Sequence, residues 1–296
     1  MRIFITGATG FIGSAVTANL LKSGHEVVGL ARSDRSAESL TALGAKVHRG
    51  SLEDLDSLKS GAAASDGVIH LAFDNGFSDF EGTIANDFRA ITAIGEALSG
   101  SGKPFVAASV TTMLNSHQAP ATEDLQGTEN TPGFPRYAAE KNIIDLSKKG
   151  VRSSVVRLPP CVHDETRQGF ATALKYLAQE KGISAYVAKG DNRWPAVHRS
   201  DAARLFQLAL ESAPAGTVLH GVGETGIEFS KIAEVIGRHS NIQTTSISKE
   251  KTGEHFAWLS PFVTFDNPAS SLYTQQLLNW EPKGPTLLHD IEHQKP

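Results

Sequence analysis

Short apolar runs alternate with stretches of helical periodicity from the first residue of the chain. The runs of strand length are residues 2–6, 26–30, 46–48, 67–71, 105–109 and 153–157. Between the first two runs, Val16 and Leu20 repeat at helical spacing, and Gly24 follows where a left-handed C-cap is expected. Strands and helices that alternate in this way are typical of right-handed βαβ units. The pattern therefore predicts an α/β fold with a doubly wound parallel sheet.

The alternation becomes irregular after the sixth predicted strand, where a pair of prolines interrupts it. Helical periodicity returns at residues 170–180, 229–239 and 270–278. Residues 201–211 form a further helical pattern, which we expect to return to the sheet. We therefore predict a first domain at residues 1–157, joined by residues 195–222, and a smaller substrate-binding subdomain that makes up most of residues 158–296.

The composition of the chain limits the kinds of molecule that the protein is expected to bind. Its 296 residues are 40% hydrophobic and 20% charged, which is ordinary for a globular protein. The formal net charge of -4, without a run of five like charges, argues against a nucleic acid or an anionic membrane as the main partner. The single cysteine, Cys161, cannot form an internal disulfide or a multi-thiolate metal site, so we expect a reducing compartment and no metal. No apolar stretch approaches the roughly 18 residues of a membrane span. These features predict a cytoplasmic protein that binds small molecules, and they allow a homodimer.

The segment TGATGFIG, residues 6–13, follows the first predicted strand directly and opens the first helix. Gly7, Gly10 and Gly13 give it the spacing GxxGxxG. In such a loop one glycine permits a tight turn, one lets the backbone approach a pyrophosphate, and one lets the helix pack close to the strand. The N–H groups at the start of the helix then bind the anion. This context favours a dinucleotide-binding loop over an ordinary glycine-rich turn.

Three segments together resemble the extended or atypical branch of the short-chain dehydrogenase/reductases, also called the NAD-dependent epimerase/dehydratase family. They are TGATGFIG, VIHLA at residues 68–72 and YAAEK at residues 137–141. The resemblance continues in RLPP at residues 157–160 and VHRSD at residues 197–201. It implies a Rossmann fold and a nicotinamide cofactor. The cofactor-binding residues that it implies are Gly7, Thr9, Gly10, Phe11, Ile12, Gly13, Ser51, Leu52, Leu71, Ala72, Pro159, Pro160 and Val162.

The end of the second predicted strand indicates which nicotinamide cofactor is bound. The sequence there is GLARS and lacks the acidic residue that usually binds the ribose 2′-hydroxyl of NAD. Arg32 offers a guanidinium group suited to a 2′-phosphate, and Ser33 offers a further hydrogen bond. We therefore expect NADP. Asp34 lies slightly further along and keeps NAD as the less favoured alternative, and Arg32 could also be a solvated surface residue.

Tyr137 and Lys141 are four residues apart, so a helix places them on one face. A phenol has a pKa of about 10, and a neighbouring ammonium group stabilises its ionised form. By the resemblance, Tyr137 transfers the proton at a carbonyl or hydroxyl carbon, and Lys141 lowers its pKa and holds the nicotinamide ribose. An exposed helix face is the alternative interpretation of this spacing.

The family's third catalytic group is a Ser or Thr directly after the fifth strand, where this chain has the sequence ASVTT. The register places Val110 at the usual position. Ser109 and Thr111 are therefore the candidate hydroxyls, with Thr112 behind them, and Thr111 is favoured because it is nearer the usual register. Each of them could instead satisfy local backbone groups at the end of the strand.

These features predict an NADP-dependent oxidoreductase of the carbonyl reductase or alcohol dehydrogenase type. Hydride would pass between the nicotinamide and a small organic ketone or aldehyde, or the matching alcohol. Two alternatives stay open at this point. One is a nucleotide-sugar epimerase or dehydratase that retains its cofactor, and the other is a regulator that senses NADP without catalysis.

Overall fold

The computed structural model describes residues 1–73, 80–116 and 119–294. Its strands are β1 (Arg2–Thr6), β2 (Glu26–Ala31), β3 (Lys46–Arg49), β4 (Gly67–His70), β5 (Pro104–Val110), β6 (Arg152–Leu158), β7 (Cys161–His163), β8 (Ile183–Val187), β9 (Arg193–His198), β10 (Thr217–His220), β11 (Glu224–Glu228) and β12 (Gln243–Ile247). Its helices are α1 (Phe11–Lys22), α2 (Asp34–Ala42), α3 (Leu55–Ala63), α4 (Phe80–Leu98), α5 (Tyr137–Asp145), α6 (Phe170–Lys181), α7 (Arg199–Ser212), α8 (Phe229–Ser240), α9 (Thr252–Phe256), α10 (Ser260–Val263), α11 (Leu272–Leu278) and α12 (Leu287–Glu292).

Seven of the described strands form one parallel sheet in the order β10-β6-β5-β4-β1-β2-β3. Both faces of this sheet are covered, as a parallel sheet requires. Ile3 and Ile5 of β1 pack with Val16 of α1 and Phe206 of α7 on one face. Phe4 points to the other face, where it packs with α4. The structure thus confirms the predicted α/β fold, because alternate residues of one strand supply two separate cores.

The smaller lobe contains a three-stranded sheet in the order β11-β9-β7 and a two-stranded sheet of β12 and β8. Its core is built around Trp194 of β9 and Phe229 of α8, whose ring centroids are 4.9 Å apart. The chain returns to the first lobe with α7, which packs against α1, and with β10, which pairs with β6 at the edge of the large sheet. Strand β9 pairs with β7 in the smaller lobe, while its Val197 packs into the core of the large sheet.

Helix α1 lies unusually close to the turn that precedes it. A Cβ atom on Gly13 would lie 1.9 Å from the carbonyl oxygen of Gly7. This distance is far inside van der Waals contact, so no side chain fits there without movement of the backbone. The close approach fixes the start of α1 directly above the carboxyl end of β1.

No helix in the described ranges has both the length and the apolar character that crossing a bilayer requires.

We expect Gly13→Ala to lower the free energy of unfolding by about 1–3 kcal/mol or more, because the added methyl group overpacks the turn. Gly253→Ala is the matched control, since a Cβ atom at Gly253 meets nothing within 4 Å. Urea unfolding of both variants measures the difference. Equal stability of Gly13→Ala and the unmodified protein would contradict the close packing of α1.

Cys161 of β7 is fully buried, and burial raises the pKa of its thiol to about 12. We expect a thiol-specific disulfide reagent at mildly alkaline pH to leave the folded protein unmodified, because the reactive thiolate is scarce and inaccessible. The same reagent should modify one thiol per chain after unfolding in urea. Rapid modification of the folded protein would show that β7 opens readily.

Candidate functional site

The glycine loop joins β1 to α1 at the carboxyl edge of the large sheet. Gly7 has a φ of 71°, and a Cβ atom there would lie 2.6 Å from the backbone nitrogen of Ala72. Gly10 is the N-cap of α1, and its own N–H donates to the Gly7 carbonyl at 3.0 Å. Thr9 and Gly10 are exposed. Because Gly10 has no side chain to accept from the first N–H groups of α1, these groups suit an external anion.

Helix α7, which returns the chain to the large sheet, begins with an arginine beside this loop. The guanidinium of Arg199 lies 4.5 Å from the centroid of the Phe11 ring, while Ile12 packs into the core of the large sheet. Arg199 donates to Ser14 Oγ at 2.5 Å and to Asp164 Oδ2 at 2.9 Å. It therefore connects the two lobes at the start of α1.

Arg32 follows β2 and is exposed to solvent. It borders a cavity of about 90 Å³ that is also lined by Leu52 and Glu53. Asp34, the residue that could have favoured NAD, is bound by Arg49, whose Nη2 lies 2.7 Å from its Oδ1. Arg32 thus places a cation at the end of β2, and the carboxylate at the start of α2 is already bound by Arg49.

Ser33 and Ser51 both have partners within the protein. Ser33 is the N-cap of α2, and its Oγ accepts from the backbone N–H of Ser36 at 3.2 Å. The Ser51 hydroxyl donates to Glu53 and lowers the pKa of that carboxyl. Ser33 therefore caps α2, whereas Arg32 lines the cavity of about 90 Å³.

A buried chain of hydrogen bonds links the ends of β1 and β4. Thr6 Oγ1 accepts from the backbone N–H of Ala72 at 3.3 Å and lies 2.8 Å from His70 Nδ1. A carboxylate oxygen only accepts, so His70 Nε2 carries a hydrogen and donates to Asp87 Oδ1 at 3.0 Å. Burial opposes ionisation of Asp87, but the hydrogen bond from His70 and the charge of Arg136 outweigh it and lower the pKa of this carboxyl. Asp87 is therefore a buried, ionised group beside the carboxyl end of β4.

Arg136 completes this chain of contacts. Its Nη2 lies 3.5 Å from Asp87 Oδ2 and donates to the Ala108 carbonyl at 3.1 Å. Its guanidinium lies 4.2 Å from the centroid of the Phe73 ring. Sequence reasoning missed Arg136, although a cation directly before a helix opposes the helix dipole and indicates a nearby acid. The residue before α5 is thus tied to the carboxyl ends of β4 and β5.

Tyr137 and Lys141 lie about one turn apart on α5. Both border a cavity of about 870 Å³ whose other walls are residues 122–126, 215–218 and 270–276. The Tyr137 hydroxyl donates to Gln126 Oε1 at 3.1 Å, and Lys141 is exposed. Among the described residues, no part of the glycine loop lines this cavity. Tyr137 also packs against the apolar cluster that contains Val110, at the carboxyl end of β5.

The rotation of α5 explains this placement. Ala139 and Ile143 are the residues that α5 buries against the sheet. Residues two apart on a helix point about 200° apart, so Tyr137 faces away from Ala139. The role of Tyr137 and Lys141 at the cofactor stays a prediction.

The candidate hydroxyls at the end of β5 differ in their partners. Thr111 Oγ1 donates to Asn267 Oδ1 at 2.8 Å, and Asn267 Nδ2 donates back to the Thr111 carbonyl at 2.9 Å. Val110 packs in a small apolar cluster with Met113. Ser109 is 3% exposed, and its Oγ has no partner in the part of the chain that the structure describes. Ser109 therefore has the unpartnered hydroxyl, and the preference for Thr111 as the catalytic hydroxyl stays a prediction.

The residues expected after β6 form the junction of the two lobes. Pro159 and Pro160 are buried, and the Pro160 carbonyl accepts from the Phe170 N–H at 3.1 Å. Val162 packs into the core of the large sheet. Leu71 directly follows β4, and its N–H donates to the Thr6 carbonyl at the end of β1 at 3.1 Å. These residues lie at the carboxyl ends of β6 and β4, where open α/β sheets bind ligands.

A buried ion pair holds α5 against β6. Arg157 is 2% exposed, and its Nη2 donates to Glu140 Oε1 at 2.6 Å. Its Nη1 lies 3.3 Å from His220 Nε2. Burial and the charge of Arg157 together lower the pKa of His220 to about 3. The neutral His220 and the paired Glu140 leave the Arg157 charge balanced inside the protein.

Comparisons with known proteins agree with this geometry. Residues 3–220 match the NAD dependent epimerase/dehydratase family. An uncharacterized protein of Schizosaccharomyces pombe is 47% identical over 291 residues, and one of Saccharomyces cerevisiae is 44% identical over 293 residues. Each alignment covers 98% of this chain and 98% of the relative.

A solved structure of the UDP-glucuronic acid 4-epimerase of Bacillus cereus, in complex with UDP-glucuronic acid and NAD, has the same fold. It superposes with a TM-score of 0.76 at 19% identity, over 99% of this chain and 98% of the epimerase. These findings confirm the resemblance in the three sequence segments. The chain belongs to the NAD-dependent epimerase/dehydratase family, and it is an NAD(P)-dependent enzyme with the fold of the short-chain dehydrogenase/reductases.

Proposed function

We propose that the protein is an NADP-dependent oxidoreductase that transfers hydride between the nicotinamide and a small organic ketone or aldehyde. The observation that carries this proposal is the exposed Arg32 at the end of β2. A guanidinium group binds a 2′-phosphate with charge-assisted hydrogen bonds, and it has no such partner in NAD. The engagement of Asp34 by Arg49 supports the same choice.

The residues at the sheet edge fit a dinucleotide. The N–H groups that follow Gly10 suit a pyrophosphate, because the close packing of Gly7 and Gly13 holds the start of α1 at the sheet edge and no side chain caps it. Leu52 borders the cavity beside Arg32, where the adenine is expected. When bound, the nicotinamide supplies or accepts the hydride. The Ser109 hydroxyl would donate to the carbonyl oxygen of the substrate and polarise it.

The pairing of three arginines, one in the smaller lobe and two at the lobe junction, supports a substrate without a diphosphate. Arg193 binds Asp266 through Nη2 and Oδ2 at 2.8 Å, and Arg199 binds Asp164. Arg157 at the lobe junction is paired with Glu140. A nucleotide-sugar substrate needs cations that are available to its phosphates. These cations are already neutralised by carboxylates, which favours a small neutral carbonyl compound.

A nucleotide-sugar epimerase is the second candidate. The likeness to an epimerase solved with UDP-glucuronic acid and NAD favours it. A regulator that binds NADP without catalysis is the third candidate, and the hydrogen bond that engages the Tyr137 hydroxyl with Gln126 favours it.

Cofactor titration followed by an absorbance assay separates these candidates. We expect NADPH to bind more tightly than NADH, as measured by nicotinamide fluorescence. A panel of aldehydes and ketones should then consume NADPH, whereas UDP-sugars should be neither oxidised nor epimerised. Conversion of a UDP-sugar without net cofactor consumption would favour the epimerase, and binding without any turnover would favour the regulator.

We expect Arg32→Asp to weaken NADPH binding by about ten- to a hundredfold and to change NADH binding much less, because a carboxylate repels the 2′-phosphate. Arg204→Asp is the control, since Arg204 is an exposed arginine of α7. Fluorescence titration of both variants with both cofactors measures the effect. Unchanged NADPH affinity in Arg32→Asp would show that Arg32 does not face the cofactor.

A further inference from the structure

A buried histidine at the end of β7 has one ring nitrogen without a partner. His163 is fully buried, and its Nδ1 lies 2.7 Å from Asp290 Oδ2 of α12. A carboxylate oxygen only accepts, so Nδ1 carries a hydrogen, and in the neutral ring Nε2 is then an acceptor. Among the described residues, Nε2 has no hydrogen-bond partner. A buried polar atom in this state is uncommon and destabilising, so it calls for an explanation.

A carboxylate oxygen of β11 faces this nitrogen. Glu224 Oε1 lies 3.7 Å from His163 Nε2, and it accepts the backbone N–H of Leu287, the first residue of α12, at 2.7 Å. A separation of 3.7 Å is too long for a hydrogen bond and too short for a water molecule to bridge both atoms with good geometry. Two acceptors therefore face each other, and one proton between them would convert the contact into a hydrogen bond.

The neighbouring histidine of β9 directs its hydrogen elsewhere. The rings of His198 and His163 have centroids 5.6 Å apart. His198 Nδ1 accepts from the backbone N–H of Ser200 at 3.3 Å, so the neutral ring carries its hydrogen on Nε2. That Nε2 lies 3.8 Å from Asp290 Oδ2. Asp290 thus faces two N–H groups, whereas the contact between His163 and the Glu224 carboxylate lacks a hydrogen.

The surrounding elements carry further ionisable groups, which are paired or neutral. Asp164, directly after β7, accepts from Arg199 Nη1 at 2.9 Å. On α12, Glu292 pairs with Arg238 of α8. Burial raises the pKa of the Cys161 thiol of β7 to about 12, so this group is uncharged. The carboxylate of β11 is therefore the group best placed to share a proton with the buried ring.

Burial shifts both partners toward their neutral forms. It lowers the pKa of His163, although the hydrogen bond to Asp290 opposes this shift. Burial also raises the pKa of Glu224 against the effect of the Leu287 N–H, and the negative charge of Asp290 adds to the rise. Two carboxylates beside a neutral imidazole are therefore stabilised by one added proton.

We propose that His163 and Glu224 bind one shared proton as the pH falls, and that this proton fastens helix α12 to the smaller sheet. The proton joins Nε2 to Oε1, so that hydrogen bonds run without interruption from β11 through β7 to Asp290 of α12. At higher pH the helix keeps its apolar contacts through Leu287 and Ile291 but loses this bridge. Glu224, His163 and Asp290 together form the clasp. The inference does not depend on the proposed oxidoreductase activity.

The clasp lies directly behind the junction of the two lobes. His163 and His198 are the paired last residues of β7 and β9. The residues that follow them, Asp164 and Arg199, bind each other, and Arg199 also binds Ser14 at the start of α1. The proton site is thus one residue away from the contact that joins the lobes.

The two pKa shifts have opposite effects on the pH dependence of global unfolding. The lowered pKa of His163 contributes stability above about pH 6.5, and this is lost as the pH falls through the folded-state pKa. The raised pKa of Glu224 contributes stability below about pH 4.3, and this is lost as the pH rises through the folded-state pKa. A comparison of matched variants isolates the contribution of Glu224.

Glu224→Gln tests the shared proton, because its amide supplies a hydrogen to Nε2 at every pH. We expect this variant to have a higher urea midpoint than the unmodified protein at pH 8, where the clasp lacks its proton. The advantage should disappear at pH 5.5, where the unmodified clasp holds the proton. Glu281→Gln is the matched control, since Glu281 is exposed and pairs with Lys283, and its effect should be the same at both pH values.

Hydrogen exchange of the Leu287 amide measures how firmly α12 is held. In the unmodified protein we expect its protection factor to be about three- to tenfold higher at pH 6 than at pH 8, the effect of one net hydrogen bond. The Ile94 amide in the core of the first lobe should change little. In Glu224→Gln the difference between the two pH values at Leu287 should vanish.

Nitrogen NMR of the unmodified protein keeps the inference testable if Glu224→Gln does not fold. We expect His163 to carry its hydrogen on Nδ1 at pH 8, and the Nε2 signal to shift as the pH falls to 6. Three results would overturn the inference. They are equal Leu287 protection at pH 6 and pH 8, the same advantage of Glu224→Gln at both pH values, and a hydrogen already present on Nε2 at pH 8.

Discussion

The contact of Gly7 with the backbone after β4 is the constraint on which the rest of the site depends. A side chain at Gly7 would collide with Ala72, and one at Gly13 would collide with Gly7 itself. The glycine loop, the start of α1 and the segment after β4 are thus in backbone contact, and this contact holds the N-terminus of α1 at the sheet edge. The same approach brings Thr6 within reach of both Ala72 and His70. The anion site and the buried hydrogen-bond chain are therefore two results of one packing contact.

The first lobe is predictable because its strands are buried on both faces. Runs such as IFI in β1 have no other stable environment than the centre of a parallel sheet, and their bounds agree with the structure to within one or two residues. The smaller lobe is less predictable. Strands β11 (ETGIE) and β12 (QTTSI) are largely polar and partly exposed, so their sequences carry little hydrophobic pattern. Their pairing is decided by contacts with the rest of the lobe.

The site shows what spacing within a helix cannot reveal. An interval of four residues places Tyr137 and Lys141 on one face of α5, but it does not determine where that face points. The rotation of the helix is set by Ala139 and Ile143, which are buried, and by the ion pair of Glu140 with Arg157. The partner of Glu140 lies on strand β6, so a contact outside the helix helps to set the rotation of α5. The glycine loop was predictable by contrast, because a turn and the helix that follows it are local.

The return of the chain to the large sheet has a consequence for synthesis on the ribosome. Strand β6 ends at Leu158, but its outer neighbour β10 begins only at Thr217, after much of the smaller lobe has been made. A nascent chain that has emerged as far as β6 exposes an unpaired edge with free N–H and C=O groups, which is open to pairing with other chains. The large sheet therefore reaches its full width late in translation, and the part of the smaller lobe between β6 and β10 must emerge before that edge is protected.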